Sequence, residues 1–140
     1  MLQVRLLEGI RILIVEDTGD TAMGLSLGFR RAGALAIETR SSVAQAQKRL
    51  AQEPAPDVVL LDNQLEGDET GIELALWMRE QPTLNNTLRI SYSAAEKEML
   101  LAQCPDHQVF HVMLTKPLSL VEMIEQIAEL VWQHQRMTRN

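Results

Sequence analysis

The chain has one cysteine, Cys104. An internal disulfide is therefore excluded, and so is a CxxC metal site. Cys104 precedes Pro105 near the end of an expected helix, so a buried, inert thiol is the simplest account of it. No apolar run approaches the roughly 20 residues of a membrane span. The N-terminus lacks the basic, apolar and small-residue series of a secretory leader. The resulting expectation is a cytoplasmic protein with no membrane partner. Basic clusters are missing too, and with a net charge of −6 the chain is not suited to direct nucleic-acid binding. It also has no internal repeat, low-complexity tract or interdomain linker.

What is present is globular in composition: 46% hydrophobic and 23% charged over 140 residues, the size of one ordinary domain. Its centre is Asp57-Val58-Val59-Leu60-Leu61-Asp62, an apolar run that follows Pro54 and Pro56 and stops on a carboxylate. Short continuous apolar runs of this kind are strands buried on both faces. A carboxylate at such a strand's carboxyl end stands where open α/β sheets place their ligands.

In order, residues 1–9 show no clear period and read as a leader that packs loosely. Ile10–Val15 is a first strand ending on Glu16-Asp17. Thr18 or Asp20 caps a helix that draws on Met23, Leu25, Leu27 and Phe29, and Gly33 closes it. A more polar strand is expected at Ala34–Thr39, then a helix over Val43–Gln52 capped by Ser41 or Ser42. After the Asp62 strand comes an acidic, glycine-containing loop, Asn63–Thr70, and a helix over Gly71–Glu80 with Ile72, Ala75, Leu76 and Trp77 inward. Leu88–Tyr92 is the weakest strand because of Arg89 and Ser91. A helix over about Ala95–Gln103 follows, then a strand at Val109–Leu114. The last helix, Leu118–Gln135, has Leu120, Ile124, Ile127 and Val131 inward. Alternating βα units require a parallel sheet with right-handed crossovers. The fold class is α/β: a doubly wound five-stranded parallel sheet, flavodoxin-like in order 2-1-3-4-5, with five helices. The expected domain is 10–135, with a tail at 136–140.

A parallel sheet opens all its carboxyl ends on one edge. Glu16 and Asp17, then Asp62, Ser93 and Thr115-Lys116-Pro117, stand there. Two unit charges about 4 Å apart repel by roughly 4 kcal/mol at an effective dielectric of 20. Three carboxylates therefore call for a hard dication with oxygen ligands, Mg²⁺ above all, and Lys116 adds a positive charge. A carboxylate beside Mg²⁺, a hydroxyl and an ammonium are the parts needed for phosphoryl transfer to an acyl oxygen. Asp62 is the candidate nucleophile, and Ser93 a donor to one phosphate oxygen. Each feature alone has an ordinary explanation, such as acids favoured by a helix N-terminus. That explanation would have to hold independently at four strand ends. His107, His111 and His134 lie away from the acidic edge and read as surface or edge residues.

Ile12-Leu13-Ile14-Val15-Glu16-Asp17, Val58–Asp62, Ser93-Ala94 and Thr115-Lys116-Pro117 together resemble the receiver domain of two-component response regulators, over about Ile10–Gln135. The resemblance implies that Asp62 is the phosphoacceptor and that Asp17 binds Mg²⁺ directly, with Glu16 acting through water. It further implies the main-chain carbonyl of Gln64 as a metal ligand and a cis Lys116–Pro117 bond. The implied partner is a histidine kinase or histidine phosphotransfer protein, with homodimerisation left open. Such a domain catalyses its own phosphorylation and dephosphorylation and is not a turnover enzyme. Three positions depart from the family pattern. Glu66 or Gly67 replaces a proline in a loop one residue longer, Met113 stands at the switch aromatic, and Ser93 replaces the commoner threonine. The resemblance also leaves open whether the domain stands alone or belongs to a longer regulator or hybrid kinase; Leu7-Glu8-Gly9 is similar to the lead-in of receivers that follow a kinase core.

Other classes fit less well. A haloacid-dehalogenase-type phosphatase carries Asp-x-Asp after its strand, a spacing that Glu16-Asp17-Thr18 lacks. A flavodoxin-type flavin carrier would have its phosphate repelled by Glu16 and Asp17. A phosphorylation-independent receiver-like scaffold has no use for Asp62, Lys116 and both acids together.

Overall fold

The computed structural model describes residues 6–63, 70–94, 97–116 and 118–138, with side chains to residue 135. The strands are β1 (Arg11–Val15), β2 (Ala36–Arg40), β3 (Val58–Leu61), β4 (Leu88–Ser93) and β5 (Val112–Thr115). The helices are α1 (Gly19–Arg31), α2 (Val43–Leu50), α3 (Gly71–Arg79), α4 (Lys97–Ala102) and α5 (Leu120–Thr138), with a 3₁₀ turn at Pro82–Leu84. All four strand pairings are parallel, in the order β2-β1-β3-β4-β5. The expected doubly wound architecture is observed.

Alternation along the strands divides the apolar side chains between two faces. Leu13, Val15, Val59 and Leu61 pack with α2 (Val43, Ala46, Leu50), α3 (Ile72, Leu74, Ala75, Met78) and Leu100 of α4. Ile12, Ile14, Val58, Leu60, Leu88, Ile90 and Leu114 pack with Leu25 and Phe29 of α1 and with Met123, Ile127 and Val131 of α5. Each fully buried aliphatic side chain contributes roughly 1.5–3 kcal/mol. The two cores clamp the middle strands, which is why β1 and β3 read as unbroken apolar runs.

Helix ends follow local chemistry. The N–H groups of Gly33 and Ala34 return to the carbonyls of Arg30 and Phe29, with Gly33 at φ 96°. This paired closure needs a left-handed residue, which glycine supplies without a Cβ clash. It also delays β2 to Ala36, two residues later than expected. Ser42 caps α2 by accepting from the Gln45 N–H, and Thr70 caps α3 by accepting from that of Glu73. Thr18 stands at the N-cap of α1 without a capping bond; its hydroxyl donates to Asp17 at 3.4 Å.

Several expectations are corrected. Leu7 of the presumed loose leader is fully buried, and its N–H donates to the Ala32 carbonyl at 2.9 Å. A turn closed by Ile10 N–H to Leu7 carbonyl, with Gly9 at φ 81°, then leads into β1. Met23 and Leu27 of α1 and Leu120 of α5 are exposed, and the inward side of α5 includes Met123 instead. In α3 the buried residues include Leu74 and Met78, while Leu76 and Trp77 are half-buried. The last strand begins at Val112, three residues later than expected, because Val109 and Phe110 are buried as loop residues. Cys104 is half-buried, and its thiol donates to the Leu100 carbonyl. The expected start of α4 at Ala95 lies outside the described residues.

Candidate functional site

Three chain segments leave the sheet at its carboxyl edge, each held by one more ladder bond. The Glu16 N–H donates to the Arg40 carbonyl at 2.9 Å, that of Asp62 to Val15 at 3.0 Å, and that of Lys116 to Ser93 at 2.8 Å. The site residues are thus mounted on the neighbouring strands before their side chains begin. Glu16, Asp17 and Asp62 each bring a carboxylate oxygen within 4.8 Å of the others. Lys116 Nζ lies 3.6 Å from Asp62 Oδ2. Ser93 ends β4 and is buried. All five expected residues therefore stand at one edge. Gln64, the expected main-chain ligand, and Pro117 of the expected cis bond lie outside the described residues.

The acids differ in environment. Glu16 is 6% exposed, Asp62 is half-buried and Asp17 is exposed. Burial pushes the Glu16 carboxyl up to about 8, and its hydrogen bond with Asp62 and the charges of Asp62 and Asp17 add to this, with Lys116 opposing. Without a cation the folded site thus favours a proton on Glu16, hydrogen-bonded to Asp62. An all-oxygen donor set that must borrow a proton to stay together suits a hard dication. The residues present fit Mg²⁺.

Sequence reasoning passed over two features. A Cβ on Gly71, the first residue of α3, would stand 2.6 Å from the Asp62 carbonyl oxygen, so this helix start lies directly against the main chain of Asp62. The Tyr92 ring faces the lysine, with Lys116 Nζ 5.1 Å from its centroid. Strand alternation places Tyr92 on the opposite face from Ser91 and Ser93, but sequence alone could not show that Lys116 turns back over its ring. On the other flank, a cavity of about 480 Å³ is lined by Glu16, Asp17, Met23, Ser26, Arg40 and Gln45. The histidines stand apart as expected. His111 Nδ1 accepts the Arg89 N–H at 2.9 Å, and its ring lies 6.4 Å from that of His134.

The family model of the response regulator receiver domain matches residues 12–128. Solved structures of similar fold include a sensor protein from Polaromonas sp. JS666, at 24% identity and a TM-score of 0.79, covering 89% of this chain and 98% of that one. A CheY-like response regulator receiver domain from Methylobacillus flagellatus is 20% identical at a TM-score of 0.71, covering 88% and 99%. The PhyR response regulator receiver domain of Erythrobacter litoralis is 23% identical at a TM-score of 0.71, covering 89% and 92%. No curated protein matches the chain. At these identities the structural likeness is one of fold, while the family match spans Glu16, Asp17, Asp62, Ser93 and Lys116. This chain belongs to the response regulator receiver domain family.

Proposed function

We propose that residues 10–135 form a phosphoacceptor domain that takes a phosphoryl group from a phosphohistidine of a histidine kinase or phosphotransfer protein onto Asp62. One observation carries this reading: three carboxylates just past the ends of β1 and β3 converge while Lys116, just past β5, puts its ammonium 3.6 Å from Asp62. Asp17, Asp62 and the Gln64 carbonyl would hold Mg²⁺, with Glu16 acting through water. The bound ion supplies positive charge to the phosphoryl oxygens. An Asp62 carboxylate oxygen forms its bond to phosphorus as the P–N bond to the donor imidazole breaks. The electron pair stays on the imidazole nitrogen, which takes up a proton. Lys116 balances charge on one phosphoryl oxygen, and the Ser93 hydroxyl donates to another. Engagement of the phosphoryl group by Ser93 and Lys116 is the start of a switch in a protein-interaction surface. The domain acts once on itself per phosphoryl group and is not a turnover enzyme.

Intact-mass measurement after incubation with acetyl phosphate and Mg²⁺ tests this. One base-labile phosphoryl group is expected, lost with EDTA and absent in Asp62→Asn. A label of equal stoichiometry in Asp62→Asn would remove Asp62 as the nucleophile.

A further inference from the structure

Lys116 is tethered at its main chain by the Ser93 carbonyl, at 2.8 Å. Its side chain is a flexible stem, 27% exposed, with water as the alternative to its 3.6 Å approach to Asp62. Besides Asp62, the ammonium also faces the residue before Ser93. The Tyr92 ring centroid is 5.1 Å from Nζ, within the range at which a ring face attracts a cation. The ring is itself fixed: Tyr92 is half-buried, packs on the core shared by α1 and α5, and is in register with Leu114 of β5. Consecutive residues of β4 therefore hold the two ends of one lysine. We infer that Tyr92 is a positioning residue for the phosphoryl transfer, its ring face keeping the Lys116 ammonium beside Asp62. This rests on the reading of Asp62 as phosphoacceptor.

A ring face suits the task better than a second carboxylate. It attracts the ammonium through its quadrupole but carries no net charge, so it competes with Asp62 for the cation far less than a carboxylate would and adds nothing to the repulsion among the three acids. It makes no directional bond, so the ammonium is free to move towards a phosphoryl oxygen as charge builds there. An aliphatic residue at 92 would fill the same half-buried space and leave the lysine to solvent.

The test uses the wild-type chain, Tyr92→Leu and Tyr92→Phe, with three readouts. NMR of the Lys116 side-chain ε-CH₂ reports the ring contact without any phosphoryl chemistry. Intact mass with acetyl phosphate at saturating Mg²⁺ gives the phosphorylation rate, and a Mg²⁺ titration reports the acidic edge. In Tyr92→Leu the Lys116 resonance should lose its ring-current shift and the rate should fall about two- to fivefold, with Mg²⁺ affinity unchanged. Tyr92→Phe should restore both. A wild-type rate in Tyr92→Leu overturns the inference, as does a Tyr92→Phe rate as low as that of Tyr92→Leu, which would assign the effect to the hydroxyl. An equal loss of Mg²⁺ affinity in Tyr92→Leu also overturns it, by showing that the whole edge has been disturbed. If wild type takes up no phosphoryl group, the functional reading fails instead, and the resonance still decides whether the ring holds the lysine.

Discussion

Glu16 is the least accessible of the three acids, and its carboxyl is pushed up to about 8 by burial and by Asp62. In the unfolded chain the same group titrates at about 4.5. Between these values the folded chain binds a proton that the unfolded chain has released, so metal-free stability falls as pH rises through the interval and levels off above about 8. Urea unfolding in EDTA at a series of pH values should show this decline, and Glu16→Gln should flatten it. A wild-type profile as flat as the variant's would remove the shared proton. Saturating Mg²⁺ should also flatten the profile, because the ion takes the proton's place. This chemistry is only partly legible in sequence. That three acids meet follows from their places at strand ends, but which of them is buried is settled only by the tertiary packing, which leaves Glu16 at 6% exposure. Met113 shows the same limit. Its departure from the aromatic pattern is visible in sequence, whereas its half-buried place in register with Ser91, whose hydroxyl is buried with no partner among the described residues, is not.

Among the elements, α3 begins directly against the main chain of Asp62. A Cβ at Gly71 would meet the Asp62 carbonyl oxygen at 2.6 Å and Asn63 Cα at 3.2 Å, both main-chain atoms that cannot swing aside. Gly71→Ala should therefore lower stability by about 1–3 kcal/mol and slow phosphorylation by displacing Asp62. Gly24, in α1, has nothing within 4 Å of its added Cβ. Gly24→Ala should raise stability by about 0.5–1 kcal/mol through helix propensity, leaving phosphorylation alone. Denaturant midpoints and the acetyl phosphate reaction check both; a Gly71→Ala protein as stable and as reactive as wild type would refute the contact. The order and type of the elements were readable because buried parallel strands are continuous apolar runs and their helices alternate with them. Their edges were less so, since an apolar run does not distinguish strand from packed loop. Val109 and Phe110 are apolar because they cover the core, and pairing with β4 begins only at Ile90 with Val112. Arg89, which made β4 doubtful, belongs there because its guanidinium donates to the Val109 and Gln108 carbonyls. Met23 and Leu27 show the converse, apolar residues on the open side of α1.

For the molecule as a whole, the two cores extend further than the expected domain, since Leu7 belongs to the one under α1 and α5. Leu7→Ala should cost about 2–5 kcal/mol in urea unfolding, whereas a loosely packed leader would make it neutral. No described helix is long and apolar enough to cross a membrane. The strand order has one more consequence. Glu16 and Asp62 follow β1 and β3, interior strands bonded to neighbours on both sides, whereas Lys116 follows β5, an edge strand bonded only to β4. Amide hydrogens should accordingly exchange with solvent sooner in Met113–Thr115 than in Ile12–Val15 or Val58–Leu61, because edges open by smaller fluctuations than centres do. Uniform protection across the five strands would contradict this. When the sheet frays locally, the Lys116 ammonium should thus part from Asp62 before the three acids separate, and well before the fold itself is lost.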